Sequence, residues 1–236
     1  MFNFLDTELG DFISRERSLS YSIEDLITPQ LKNNPNMKIL DLGSGDGKLT
    51  SIIQQHSGIY IGCDIGDSPE AQIRTKQDVP FVIYAGESLP FLDASFDCVV
   101  LDHVLEHIEK PHFVFKEIAR VLKDDGILMG SVSQLETYHS HSLWNVSPYG
   151  LWCLTKNTPL TIKELRPGID FLSLIIGIYL FPSLFKLNIN KETFINKIIY
   201  IFGKLLGKTV TRINAAQLFL AGHYLFIIKK ERSSPK

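Results

Sequence analysis

The residues best placed to do chemistry are Asp41, Gly43, Gly45 and Gly47, which follow one another at alternate positions at the end of the apolar run Lys38-Ile39-Leu40-Asp41-Leu42. Glycine admits backbone conformations closed to other residues and lets a ligand lie on the main chain. The first amides of a helix that follows such a turn point toward whatever sits there. The pattern is that of a ligand-binding turn. Asp64, 21 residues beyond Gly43, adds a carboxylate with two acceptor oxygens. His103-Val104-Leu105-Glu106-His107 brings two imidazoles and a carboxylate together, and His139 and His141 add two more imidazoles able to take a proton from a hydroxyl.

These residues need a scaffold, and the apolar pattern supplies one. Short strands are expected at Lys38–Leu42, Ile59–Asp64, Pro80–Tyr84, Asp97–Leu101 and Ile127–Val132, with helices over Lys48–His56 and Pro111–Leu122. The second helix carries Pro in its first turn, where the missing amide does no harm. Apolar strands alternating with helices imply a parallel sheet covered on both faces. Ligands in such sheets bind beyond the carboxyl ends of the strands. Gly43, Asp64, Glu87 and Asp102 all fall at such ends. Residues 1–36 read as a helical cover, Asn34-Pro35 breaks the chain before the first strand, and His223–Lys230 reads as a last buried strand.

Spacing separates the ligands a glycine turn can take. A phosphate-binding loop needs Gly at position 42 and Ser or Thr at 49; the chain has Leu42 and Leu49. The dinucleotide fingerprint started at Gly43 or Gly45 meets Lys48 or Thr50 where its third glycine belongs. Both readings fail. The H-x-x-E-H pattern at 103–107 is that of one zinc-protease group, but it needs a sustained helix and a further carboxylate ligand. Here a strand ends just before it and Pro111 follows closely.

What remains, ILDLGSGDG over 39–47 together with FDCVVLDHVLEHIEKP and, after a helix, GILMGSV, resembles the class I S-adenosylmethionine-dependent methyltransferases, in particular the small-molecule group called methyltransferase type 11. The likeness is strong over 37–133, weaker through HSHSLWNVSPYGLWCLTK to about 170, and returns at the last strand. It implies a doubly wound α/β fold with a mostly parallel seven-stranded sheet whose last strand runs antiparallel. It implies S-adenosylmethionine as cofactor and methyl transfer to a small or lipid-linked metabolite, at oxygen and without a metal. By the same resemblance Gly43, Ser44 and Gly45 would pass under the methionine end with Asp41 near its amino group. Asp64 would take both ribose hydroxyls and Ile65 would lie against adenine. Gly86, Glu87 and Ser88 would serve adenine recognition where the family commonly has Asp in place of Ala85. Leu101, Asp102 and His103 would border the methionine and the reacting methyl. His103, His107, His139 and His141 are the candidate general bases; His139 and His141, on the substrate side after strand five, rank first, and His107 in the family often supports its loop.

The chain has 236 residues, 44% apolar and 21% charged, with a net charge of −2. That charge is uneven: residues 186–236 hold 10 basic and 2 acidic side chains, against 14 and 24 in the remainder. Cys63, Cys98 and Cys153 have neither disulfide number nor metal spacing. No signal peptide is visible at the N-terminus, so the reading is cytoplasmic. The apolar run Phe171–Phe185 is too short to cross a bilayer, and Phe194–Leu206 mixes aliphatics with Lys197 and Lys204. A segment at about 171–215 inserted in a 37–236 catalytic domain therefore reads as a helical lid, with a lipid-facing surface at the inner face of the membrane as the alternative. No nucleic-acid module is recognisable. Two rival readings are a protein that binds S-adenosylmethionine without transferring the methyl, and a membrane-surface interaction protein.

Overall fold

A computed structural model describes residues 7–232 apart from 67, 69–71, 74–78, 85–87, 137–140 and 183–190. Ala85, Gly86, Glu87 and His139 lie outside the described residues. Helix α1 (Ile23–Asn33) precedes β1 (Lys38–Leu42), α2 (Thr50–Gln55), β2 (Ile59–Asp64), β3 (Phe81–Ile83) and β4 (Phe96–Asp102). Then come α3 (Pro111–Val121), β5 (Leu122–Ser133), α4 (Pro148–Thr155), β6 (Leu160–Pro167), α5 (Phe171–Tyr179), α6 (Phe194–Leu205), α7 (Val210–Leu220) and β7 (His223–Lys230).

The seven strands form one sheet in the order β3-β2-β1-β4-β5-β7-β6. β1 pairs in parallel with both β2 and β4, and β7 runs antiparallel between β5 and β6. This is the doubly wound α/β arrangement. Strand order turns back at β1, so the crevice beyond the carboxyl ends of β1, β2 and β4 is where such a sheet takes its ligand. Because side chains alternate across a strand, Leu40, Val99, Leu128 and Phe226 face α3 and α4. Ile39, Val100, Met129 and Leu225 face α1 and α2. Both faces are buried, which is why the strands read as continuous apolar runs.

Strand β6 had no assignment in the sequence, and its pairing explains why. Its register on β7 shifts between Ile162 and Glu164, so the inward residues Leu160, Ile162, Leu165 and Pro167 do not keep a strict period of two. It is also the edge strand, where the charges Lys163, Glu164 and Arg166 suit solvent and discourage pairing with another chain. The first helix after the turn starts at Thr50 rather than Lys48. Gly47 is left-handed (φ +81°) and the Lys48 amide is held by Asp46 Oδ1 at 3.1 Å, so residues 47–49 still belong to the turn.

Candidate active site

The turn after β1 is built by its glycines. Gly43, Gly45 and Gly47 have φ of +77°, +48° and +81°, the left-handed region that other residues enter only with strain. At Gly43 space is limiting as well: a Cβ there would lie 2.3 Å from Val104 Cγ2. The loop after β4 therefore packs directly on the turn, which requires glycine at 43.

The turn's amides are turned inward. Gly43 N and Ser44 N donate to Cys63 O at 2.7 and 3.2 Å, Gly47 N to Ser44 O at 2.8 Å, and Gly45 N to Asp64 Oδ2 at 2.6 Å. The other oxygen of Asp64 accepts from Ile65 N at 2.7 Å. A carboxylate thus occupies the place where a phosphate-binding loop would offer amides to an anion. That fits the failed phosphate-loop spacing. Each Asp64 oxygen keeps a second lone-pair site, so the carboxylate can still accept from two hydroxyls.

Asp41 lies beneath the turn, buried, and accepts from Tyr60 Oη at 3.0 Å. Burial pushes its carboxyl up to about 7, against the pull of the Tyr60 hydrogen bond. Asp102, at the end of β4, pairs with Lys48 from the turn and accepts from Ser131 Oγ at 2.6 Å. Its burial favours the neutral acid, but Lys48, His103 and Ser131 outweigh this and hold the carboxyl below its usual range. The site therefore gathers Asp41, Asp64, Asp102 and one ammonium, Lys48. That set suits a ligand carrying two positive centres, one carboxylate and a pair of vicinal hydroxyls, which is the charge pattern of S-adenosylmethionine.

His103 follows at φ +56°, a conformation strained for a residue with a side chain. Its Nδ1 lies 3.1 Å from Oε1 of Glu106, which also accepts from Ser133 Oγ at 2.9 Å. Glu106 is fully buried, and burial alone would favour its neutral form. The hydrogen bonds from His103 and Ser133 hold it below the ordinary carboxylate range instead. The His103 ring packs edge-on against His223 of β7, with centroids 4.9 Å apart. Burial and the neighbouring His103 push His223 down to about 3, so it stays neutral at ordinary pH.

Other expected residues lie elsewhere. The Leu101 side chain is fully buried in the core, so it shapes the site only by fixing Asp102 after it. Ser88 Oγ donates to Glu117 on α3 at 3.2 Å, within a clamp completed by Arg120, which donates to the carbonyls of Leu89 and Phe91. Ile65 is half exposed beside Asp64. His107 ends the short 3-10 helix Leu105–His107, and His141 is exposed. Lys48, Glu106, Ser133 and His223 were missed. Lys48 enters the sequence argument only through phosphate-loop and dinucleotide spacing and Glu106 only through the zinc pattern, whereas His223 lies 120 residues from its partner His103.

Residues 40–130 match the family described as methyltransferase domain. An uncharacterised protein of Methanocaldococcus jannaschii is 25% identical over 190 residues, covering 80% of this chain and 77% of that one. A demethylmenaquinone methyltransferase of Corynebacterium glutamicum is 33% identical over 99 residues, 42% of this chain and 43% of that protein. The chain thus spans less than half the length of that named relative. Among solved structures, a chain from the Haloferax volcanii complex of a methyltransferase activator with a methyltransferase superposes with a TM-score of 0.59 at 20% identity, covering 90% of each chain. Residues 40–130 are thus similar to the methyltransferase-domain family, and the doubly wound α/β fold that carries them is shared with that Haloferax volcanii structure.

Proposed function

We propose that the protein transfers a methyl group from S-adenosylmethionine to a hydroxyl oxygen of a small or lipid-linked metabolite. The observation that carries this reading is the His103–Glu106 pair set beside the Asp102 end of the cofactor turn. S-adenosylmethionine supplies a methyl group on a sulfonium whose charge disappears as the methyl leaves. Asp64 would accept from the ribose hydroxyls while remaining tied to Gly45. Asp41 and Asp102 would supply acceptors for the ammonium, and Lys48, paired with Asp102, would supply positive charge toward the carboxylate.

Positioning supplies much of the acceleration in such a displacement, but a hydroxyl acceptor must also lose its proton. His103 is built for that step. Glu106 accepts from Nδ1–H, which makes Nε2 the basic nitrogen of the neutral ring. Nε2 takes the acceptor proton and the buried carboxylate stabilises the imidazolium that forms. His103 is then the catalytic residue and Glu106 a positioning residue. This reading replaces His139, His141 and His107 as first choice for the base. The likeness over 99 residues to a demethylmenaquinone methyltransferase supports an acceptor that is lipid-linked.

The test is methyl transfer from labelled S-adenosylmethionine into fractionated cell extract, followed by mass analysis. The expected product is organic-soluble and carries the label on oxygen. A label found on nitrogen or carbon, or no turnover in any fraction, contradicts the reading.

A further inference from the structure

Helix α6 is amphipathic, and its apolar stripe faces out while the one residue it buries is polar. On α6 the large exposed residues are Phe194, Ile198, Ile201, Phe202, Leu205 and Leu206, spaced by three, four or one along a single stripe of the helix. The buried residue of the same helix is Asn196, whose Nδ2 donates to Tyr21 Oη at 2.6 Å and to Gly168 O at 3.0 Å. On α7, Asn214 and Gln217 are buried, and Asn214 donates to the carbonyls of Ser14 and Glu16 at 2.8 and 2.7 Å. Phe219 of the same helix is 72% exposed.

This orientation is fixed, not accidental. Asp170 caps α5 through Ser173 N and accepts from Thr193 Oγ1, which itself caps α6 through Asn196 N. One shared cap therefore sets both helix starts. Gly203 lets α6 close on α7, since a Cβ there would lie 2.5 Å from Ile213 Cγ1. α5 adds exposed Ile176, Tyr179 and Leu180.

The polar groups beside this face are cationic. Lys197, Lys204, Lys208 and Arg212 are all exposed. Arg17, Lys197 and Lys204, with Tyr200, Ile201 and Leu205, line a recess of about 440 Å³. Arg17 is itself paired with Glu192 at 2.6 Å, so the two lysines supply the available positive charge there. Among the described residues no helix is long and apolar enough to cross a membrane.

We infer that the exposed face of α5 and α6 is a docking surface for an anionic lipid bilayer. α6, about 18 Å long, lies in the interface plane with Phe202 and Leu205 among the acyl chains and Lys197 and Lys204 at the headgroup phosphates. The charge flanking the apolar stripe is what selects this occupant, because a second copy of the chain would bring lysines against lysines. The inference stands apart from the methyl-transfer reading, since docking needs neither cofactor nor acceptor.

The test is sedimentation of the full chain with vesicles of phosphatidylcholine containing phosphatidylglycerol, or of phosphatidylcholine alone, without cofactor. The protein is expected to pellet with the anionic vesicles and to release as salt rises. The Lys197→Gln/Lys204→Gln variant should lose roughly fivefold in partitioning per lysine, and Phe202→Asp/Leu205→Asp should stay in the supernatant. Both variants should keep the parental melting temperature, because the altered side chains are exposed. Equal pelleting with neutral vesicles, no pelleting at all, or a dimer in sedimentation velocity that Phe202→Asp dissociates would overturn the inference.

Discussion

At the carboxyl ends of β1, β2 and β4 the chain buries charge and partners it, whereas on α5 and α6 it exposes apolar surface and buries amides beneath it. Asp41, Asp64, Asp102 and Glu106 are each nine-tenths or more out of solvent or nearly so, and each accepts a hydrogen bond from a named neighbour. Phe194, Phe202 and Leu205 stand in the open on a helix whose Asn196 is buried. Buried charge is expensive to hold, so the first region gives up stability for a fixed set of acceptors. The second region leaves apolar area in water, a cost that contact with an apolar phase relieves.

The largest expected effect is on turnover. His103→Gln should lower kcat by roughly 100-fold to 10,000-fold, the range for loss of a general base, with cofactor affinity nearly unchanged. Glu106→Gln should lower kcat less. A His103→Gln enzyme with parental kcat would remove the base from the account.

Next comes the packing of the turn. Gly43→Ala places a Cβ against Val104 at a φ of +77°, and should destabilise the fold by roughly 2–4 kcal/mol. Adding Val104→Ala should recover the steric part and leave about 1–2 kcal/mol for the left-handed backbone. Chemical denaturation of the two variants separates these contributions.

Asp41 gives a pH-dependent effect. Its folded carboxyl titrates at about 7, above the unfolded 3.8, so the folded state holds the proton more tightly. Stability is then lost as pH rises from the unfolded value through the folded one, and no further loss follows above it. Asp41→Asn should be little different from the parent near pH 4. It should be more stable near pH 8 by a few kcal/mol at most, at about 1.4 kcal/mol per pH unit of displacement. Melting temperatures across that range check the sign. At the small end, Leu205→Ser on the exposed stripe should change stability by no more than about 0.5 kcal/mol.

Sequence reading reached far into the first region and little into the second. The strands are buried on both faces, so Ile39-Leu40 and Cys98-Val99-Val100 stand out as apolar runs, and the glycines mark their turn by spacing alone. Edge strand β6 hid behind a register shift. The Glu106 partnership with Ser133 and the His223 contact with His103 join residues far apart in sequence, and no local pattern carries them. For α6 the periodicity was visible, but a periodic apolar stripe normally faces inward. The burial of Asn196 and the exposure of Phe202 and Leu205 show that here it faces out.

The central claim is that the glycine turn with Asp64 holds S-adenosylmethionine, and calorimetric titration with S-adenosylhomocysteine tests it without needing the acceptor. The parent chain should bind one equivalent. Asp64→Ala should bind about 100-fold or more weakly, because two hydroxyl hydrogen bonds to a carboxylate contribute roughly 1.5–3 kcal/mol each, and a melting curve on the same sample shows whether the variant is folded. No binding by the parent, or a folded Asp64→Ala that binds as tightly as the parent, would contradict the account.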